Sequence, residues 1–240
     1  MKTYFISDAH LGLGNKNEER AKEKRLIGFL DHISNDVSQL IIVGDLFDAW
    51  FEYRTVIPKG FHRFFAKISE ITDRGIPVHY LAGNHDYWAR DFFRDELGMK
   101  TYSHPFELLI DEKKVFIHHG DGLSANDVGY RIIKKIFRSR FNIWLYSWLH
   151  PDIGLSIAQA TSKRSRQHTG TKDYGENDSM MTFARQKISE GYDIVVMGHR
   201  HKPVFEKIGS GAYVNLGDWI DNNTFAEMEN GQITLSRWRA

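Results

Sequence analysis

Five short apolar runs, each leading into a cluster of Asp, Asn, His and Gly, limit what this chain can fold into more than any other feature. The runs are Lys2–Ser7, Leu40–Val43, Val78–Ala82, Val115–His118 and Ile194–Met197. The clusters are Asp8-Ala9-His10, Gly44-Asp45-Leu46-Phe47-Asp48, Gly83-Asn84-His85-Asp86, His118-His119-Gly120-Asp121 and Gly198-His199-Arg200-His201. Unbroken apolar runs of this length read as strands buried on both faces, as in a covered parallel sheet. Helical patterns lie between the first three runs. In Glu18–Ile33, Leu26, Phe29, Leu30 and Ile33 recur at i, i+3, i+4 and i+7. Phe61, Phe64, Phe65, Ile68 and Ile71 form a second apolar stripe, which stops near Gly75 and Pro77. Strand, polar cluster, helix, strand is the rhythm of an α/β fold.

Beyond residue 100 the rhythm changes. Phe106–Ile110 and Val115–His118 flank Asp111-Glu112-Lys113-Lys114, which reads as a hairpin turn. Residues 124–172 read as helical, and Asp178–Ser189 as a further helix. Toward the C-terminus, Val204–Ile208, Tyr213–Leu216, Phe225–Met228 and Gln232–Ser236 alternate with Gly-rich or Asn-Gly turns, the pattern of antiparallel strands. The expectation is α/β (α+β): one domain over 1–240, two sheets packed face to face with helices outside, and a helical cap inserted over 124–172.

Composition removes several alternatives. A chain of 240 residues that is 41% hydrophobic can bury a sizeable core. With no cysteine, disulfides and thiolate metal sites are excluded. No apolar stretch approaches the ~20 residues of a membrane-spanning helix. The chain enters its first strand without a signal-peptide pattern, so a cytoplasmic protein is expected. A net charge of +1 gives no global attraction to nucleic acid.

Open α/β sheets place their ligands beyond the C-terminal ends of the strands, where all five clusters lie. Carboxylate, amide oxygen and imidazole together suit Mn²⁺, Fe²⁺, Zn²⁺ or Co²⁺, whereas a site for Mg²⁺ alone would use fewer histidines. Each cluster alone has a plainer reading. Asp8-Ala9-His10 is also an acidic turn, Gly44-Asp45 a helix cap, and Asn84-His85-Asp86 a turn whose side chains bond backbone. The five in series point to metal. His118 alternates with His119 along its strand and is expected to face away from the site.

The series Asp-x-His, Gly-Asp-x-x-Asp, Gly-Asn-His-Asp, His-Gly-Asp, Gly-His-x-His resembles the calcineurin-like metallophosphoesterase superfamily across residues 8 to 201. That resemblance implies a metallophosphoesterase β-sandwich flanked by helices and a site for two divalent ions. One ion would be held by Asp8, His10, Asp45 and His201. The second would take Asp45, Asn84, His119 and His199, with Asp45 bridging. A hydroxide between the ions would attack phosphorus in line. His85, adjacent to Asn84, would protonate the leaving oxygen or stabilise phosphoryl charge. Asp48 and Asp86 would orient the ligand loops.

Between Arg131 and Lys172 the chain carries nine basic residues (Arg131, Lys134, Lys135, Arg138, Arg140, Lys163, Arg164, Arg166 and Lys172) against one acid, Asp152. Phe137, Phe141, Trp144, Tyr146 and Trp148 share the segment. Its partner would be nucleic acid, an anionic membrane surface, or a substrate with both phosphate and acyl chains. A cap whose aromatics pack in a core of its own is the plainer alternative. Following the fourth cluster, the segment is expected to cover the metals. A basic aromatic lid suits a phosphorylated glycolipid, whereas nucleic acid calls for an open groove, so no nucleic-acid partner is expected.

A closer resemblance lies in Asp45-Leu46-Phe47-Asp48-Ala49-Trp50, in Gly120-Asp121-x-Leu123 with Asp127-x-Gly129-Tyr130, and in Ser162-Lys163. These resemble the UDP-2,3-diacylglucosamine pyrophosphatases of lipid A biosynthesis. That resemblance implies cleavage to UMP and 2,3-diacylglucosamine 1-phosphate, with Mn²⁺ first among the metals and Fe²⁺ or Zn²⁺ next. It implies a peripheral place on the cytoplasmic face of a Gram-negative inner membrane. Asn84, Asp127, Tyr130, Ser162 and Lys163 would touch the glucosamine–phosphate part, with His85 beside them. Arg131, Arg164 and Arg166 join them by charge and location. Best-known members carry Arg where this chain has His85; Arg only clamps, whereas His clamps or donates a proton. A paralogue acting on another phosphodiester, phospholipid or nucleotide is the alternative. A metal-free binding scaffold of the same fold would not need all seven ligand positions filled. The run Val214-Asn215-Leu216-Gly217-Asp218-Trp219 also resembles related paralogues and reads as a strand ending in a turn near the cap. Oligomeric state has no signature in the sequence.

Overall fold

A computed structural model describes residues 1–123, 134–169 and 179–239, with the side chains of 163–169 outside that set. Eleven strands are described: β1 (Lys2–Ile6), β2 (Val37–Val43), β3 (Val78–Leu81), β4 (Lys100–Tyr102), β5 (Phe106–Ile110), β6 (Lys113–His118), β7 (Ile194–Met197), β8 (Val204–Ile208), β9 (Gly211–Asn215), β10 (Thr224–Glu229) and β11 (Gln232–Arg237). They form two mixed sheets, ordered β11-β10-β1-β2-β3-β4 and β5-β6-β7-β9-β8. β1 to β4 run parallel, as do β6, β7 and β9, while β10, β11, β5 and β8 pair antiparallel at the flanks.

Alternation along each strand builds a four-layer stack. Phe5, Ile41, Val43 and Leu81 of the first sheet meet Val115, Ile117, Val196 and Val214 of the second in one buried cluster. The neighbouring residues Tyr4, Ile6, Leu40 and Ile42 face outward onto α1 (Lys16–Ile33) and α2 (His62–Asp73). Leu26, Phe29, Leu30 and Ile33 of α1 are buried there, each contributing about 1.5–3 kcal/mol by removal from water. Val195, Met197 and Tyr213 cover the outer face of the second sheet against Met180 and Ala184 of the helix Ser179–Ser189.

The expected elements shift in places for physical reasons. α1 begins at Lys16 rather than Glu18, because Asn15 caps it: the Asn15 side chain accepts the Asn17 and Glu18 amides while Glu18 reaches back to the Asn15 amide. The hairpin turn is Asp111-Glu112 alone, with φ of 47° and 62°. Two successive left-handed residues make the tight turn that matches strand twist, so Lys113 and Lys114 belong to β6 and pair with Ile110 and Leu109. β4 and the single turn Phe92–Asp95 were not anticipated, being too short to carry periodicity.

His79 on β3 gives the fold a pH dependence. It is buried against Tyr102 and Phe106, with Nδ1 3.0 Å from the Tyr102 hydroxyl. Burial, helped by Lys100, lowers its pKa from 6.5 to about 4. The folded state therefore binds fewer protons than the unfolded state between these values, and stability falls as pH drops from about 6.5 toward 4. His79→Phe is expected to remove about 2 kcal/mol of this acid sensitivity, read as a smaller loss of stability between pH 7 and pH 4.5 in urea titrations.

A helical turn at 134–137, the helix Arg140–Tyr146 and the long helix Pro151–Thr169 come between the two halves of the second sheet. Tyr146 stacks near Phe51 (4.8 Å) and Trp88 (4.7 Å), and the Trp88 indole donates to the Phe137 carbonyl at 2.9 Å. Among the described residues, Phe141, Trp144 and Trp148 contact one another in series but stay largely open to solvent, Trp148 at 74% exposure and Phe141 at 66%. Among the described residues, no helix is long and apolar enough to cross a membrane.

Candidate metal centre

The five clusters emerge from the C-terminal ends of β1, β2, β3, β6 and β7 and converge at one edge of the stack. Backbone ladders extend past the strands to hold them together: Asp8 N–H donates to the Gly44 carbonyl, His10 N–H to Asp45, and Gly198 N–H to His119. Asp8, His10, Asp45, His199 and His201 all adopt positive φ, between 43° and 70°. Non-glycine residues in that region each cost about 1–3 kcal/mol and persist where the surroundings impose them. The conformation turns five donor side chains back over the sheet edge. Gly83 permits the close approach, since a Cβ there would lie 2.1 Å from Asp45 Oδ1. A Cβ at Gly198 would lie 2.4 Å from Asp8 Oδ2.

Two groups hold the predicted ligands. Asp8, His10 and His201 bring ligand atoms within 4.8 Å of one another, and so do Asp45, His119 and His199; a third such group joins His10 to Asp48 and His85. Asp45 Oδ2 stands between the groups, 3.2 Å from His119 Nε2 and 3.8 Å from His10 Nε2. Asn84 Oδ1 is 3.1 Å from His119 Nε2. Asp8 Oδ1 lies 3.4 Å from His201 Nε2, and the Nε2 atoms of His10 and His201 are 3.0 Å apart. All seven candidate ligands are thus brought together. His85 joins them, its ring centroid 4.9 Å from that of His10.

This donor set fits divalent cations. Asp8 Oδ2 accepts the His199 amide at 2.9 Å, but Asp8 Oδ1 is fully buried without a hydrogen-bond partner while facing two imidazole nitrogens. His119 donates Nδ1–H to the Val43 carbonyl at 2.9 Å, which leaves the Nε2 lone pair free for a cation. Burial opposes charge on Asp45, but His119, His85 and His10 outweigh it and hold the carboxyl well below its usual range. Asp8 is likewise kept ionised against burial by His10 and His201. His119 is raised to about 10: burial opposes the charge, and Asp45 outweighs burial. Burial and the neighbouring His119 lower His199 to about 4. The protons on this cluster thus occupy places that cations compete for.

Around the ligands lies a frame of buried carboxylates and amides. Asp86 accepts the amides of Gly83 (2.8 Å), Asp45 (3.3 Å) and Phe47 (3.2 Å), tying the second and third clusters together. Burial and the Asp45 charge raise its pKa. Asp48 Oδ1 is 3.5 Å from His10 Nδ1. Asp218 was missed by sequence reasoning as a site residue. It accepts the Ile220, Asp221 and Asn222 amides, while Asn222 Nδ2 donates to the His201 carbonyl at 2.8 Å and the Trp219 amide to that of Asp8. The segment 218–222 therefore braces Asp8 through the Trp219 amide and His201 through the Asn222 side chain. The sequence marked the run Val214–Trp219 by its resemblance to related paralogues and as a strand ending in a turn, and the polar pair Asn215 and Asp218 after an apolar strand was the signal that could have placed it at the site.

The remaining residues fall as follows. His118 faces the Phe183 ring, on the other side of β6 from His119, and burial lowers its pKa to about 4. Ser162 reaches the site, its hydroxyl 3.0 Å from Asp48 Oδ1 and 2.8 Å from His85 Nδ1. Lys134 and Arg138 turn toward the buried Asp121, at 2.5 and 3.7 Å from Oδ2. Asp127, Tyr130 and Arg131 lie outside the described residues. Lys163, Arg164 and Arg166 belong to the helix Pro151–Thr169, with side chains outside the described set.

Two mixed sheets that converge their strand ends on carboxylates and imidazoles define a metal-dependent hydrolase. The chain belongs to the calcineurin-like phosphoesterase family, whose model matches residues 1–203. It is 32% identical to a UDP-2,3-diacylglucosamine hydrolase of Porphyromonas gingivalis over 98% of this chain and 96% of that protein. It is 26% identical to a protein of the same name from Haemophilus influenzae, over 92% of this chain and 91% of that one. A solved archaeal phosphodiesterase shares the fold, with a TM-score of 0.51 at 14% identity over 98% of this chain and 99% of that chain.

Proposed function

We propose that this protein hydrolyses the pyrophosphate of UDP-2,3-diacylglucosamine to UMP and 2,3-diacylglucosamine 1-phosphate. The observation that carries the reading is the attachment of a helical segment to the metal edge. Ser162 of the helix Pro151–Thr169 bonds Asp48 and His85, and the same segment exposes Phe141, Trp144 and Trp148. A phosphate-cleaving centre beside apolar, basic helices suits a substrate that is anionic at one end and acylated at the other. The names of the full-length relatives support the same substrate.

In this reading residues 124–172 form a cap within a single domain. Asp8, His10, Asp45 and His201 hold one cation; Asp45, Asn84, His119 and His199 hold the other, with Mn²⁺ preferred over Fe²⁺ or Zn²⁺. Two such ions supply Lewis acidity and a water nucleophile at neutral pH. Asn84 and His85 face the phosphoryl group, and His85 donates a proton to the leaving oxygen. Asp127, Tyr130, Arg131, Ser162, Lys163, Arg164 and Arg166 line the route to the glucosamine–phosphate. The exposed apolar side chains on a segment with nine basic residues support peripheral docking on an anionic inner-membrane surface from the cytoplasm.

His85 favours one alternative, a paralogue with the same centre and a different phosphodiester. Mn²⁺-loaded protein is expected to release UMP from UDP-2,3-diacylglucosamine with a kcat/KM at least about a hundredfold above that for bis(4-nitrophenyl) phosphate. Equal efficiency on both would favour the paralogue, and no release of UMP would reject the proposed substrate.

A further inference from the structure

We propose that Ser162 is a positioning residue for His85, so that docking of the helix Pro151–Thr169 and the readiness of His85 are one event. The inference rests on the role given to His85 above. It does not depend on the identity of the acylated substrate.

The geometry is closed on three sides. Ser162 is 6% exposed, and its hydroxyl lies 3.0 Å from Asp48 Oδ1 and 2.8 Å from His85 Nδ1. A hydroxyl has one proton, and the Asp48 carboxylate accepts it. The Ser162 oxygen must then accept from His85 Nδ1–H. The Asp48 carbonyl, 2.9 Å away, accepts from the same Nδ1–H, and neither acceptor can satisfy a bare Nδ1 lone pair. The proton on Nδ1 is fixed by this pair of acceptors whether the ring is neutral or doubly protonated, and Nε2 is left as the nitrogen that takes up and releases the proton given to the leaving oxygen. The His85 amide donates to Asp45 Oδ1 at 2.9 Å, which pins the backbone but leaves the ring free to turn about its side-chain torsions. Two acceptors hold the ring, the Asp48 carbonyl and, from a residue 77 positions away in sequence, the Ser162 hydroxyl.

This arrangement differs from direct substrate binding by Ser162, the role implied by the family resemblance. A substrate contact acts only on the substrate that reaches it. A positioning residue acts on every substrate whose leaving oxygen His85 serves. Removing such a hydrogen-bond partner costs about 10–100-fold in activity.

The test uses the full chain loaded with Mn²⁺, as wild type, Ser162→Ala, His85→Ala and the double variant. Each is assayed on bis(4-nitrophenyl) phosphate and on UDP-2,3-diacylglucosamine, with metal content checked. Ser162→Ala is expected to lower kcat on the aryl diester about tenfold with KM within about twofold, and to add nothing to His85→Ala. An unchanged kcat on the aryl diester, with only a raised KM for the acylated substrate, would make Ser162 a substrate contact and overturn the proposal. Multiplied losses in the double variant, or reduced metal content in Ser162→Ala, would overturn it as well. A silent His85→Ala would overturn the role of His85 together with the inference. Failure of wild type on the acylated substrate would reject the substrate alone, since the aryl diester still reads Ser162.

Discussion

Asp45→Asn is expected to lower kcat by about a thousandfold or more while the fold persists. Asp45 stands between the two groups of ligands and, in the proposed centre, serves both cations: Oδ2 lies 3.2 Å from His119 Nε2 and 3.8 Å from His10 Nε2. Oδ1 is occupied by the His85 amide at 2.9 Å. Asparagine keeps the shape, and its carbonyl oxygen still accepts that amide. It then directs an NH₂ group, which cannot ligate a cation, at the position between the histidines. One substitution thus removes a negative charge from both cation positions. The fold persists because asparagine keeps the volume and the bond to the His85 amide, although it gives up the attraction of the neighbouring histidines that holds the Asp45 charge against burial. Steady-state kinetics with metal analysis and circular dichroism checks this. Activity within tenfold of wild type at full metal content would contradict the shared role.

Stripping the metals is expected to lower the melting temperature by at least about 10 °C. Cations at about a thousandfold over Kd stabilise the folded state by ~4 kcal/mol per site, and each kcal/mol moves a chain of this size by roughly 2–4 °C. The ligand cluster itself carries strain and an unmet polar group. Five donors sit at positive φ, and Asp8 Oδ1 is buried without a partner. Two imidazole nitrogens stand 3.0 Å apart, at His10 and His201. A cation would give the buried Asp8 oxygen its missing partner and hold the positive-φ donors in place. Differential scanning calorimetry with EDTA against MnCl₂, both at pH 7.5, gives the comparison, and coincident melts would contradict it.

The sequence made the site more legible than the segment beside it, and the reason is physical. A ligand at a strand end needs a few residue types at fixed offsets, and Asp8, His10, Asp45, Asn84, His119, His199 and His201 were legible as a series and through the family resemblance, since each cluster alone also reads as a turn or a cap. The separation of His118 from His119 followed from strand alternation alone. Asp218 escaped because it acts through backbone amides and through Asn222, an arrangement without a required spacing. The bond from Ser162 to His85 was invisible for the same kind of reason: it joins residues whose proximity only the tertiary fold creates. In the fold, buried runs such as Leu40–Val43 were clear, since burial on both faces leaves little choice of residue. The exposed strand Lys100–Tyr102 was not, being too short for a period, and the hairpin turn read at Asp111–Lys114 was placed correctly but two residues too long, since no glycine marks where it ends.

Crystals of the protein grown with MnCl₂ and measured at the manganese absorption edge test the central claim most directly. Two anomalous peaks are expected, one among Asp8, His10, Asp45 and His201, the other among Asp45, Asn84, His119 and His199, with Asp45 touching both. A single peak, or peaks away from Asp45, would contradict the account.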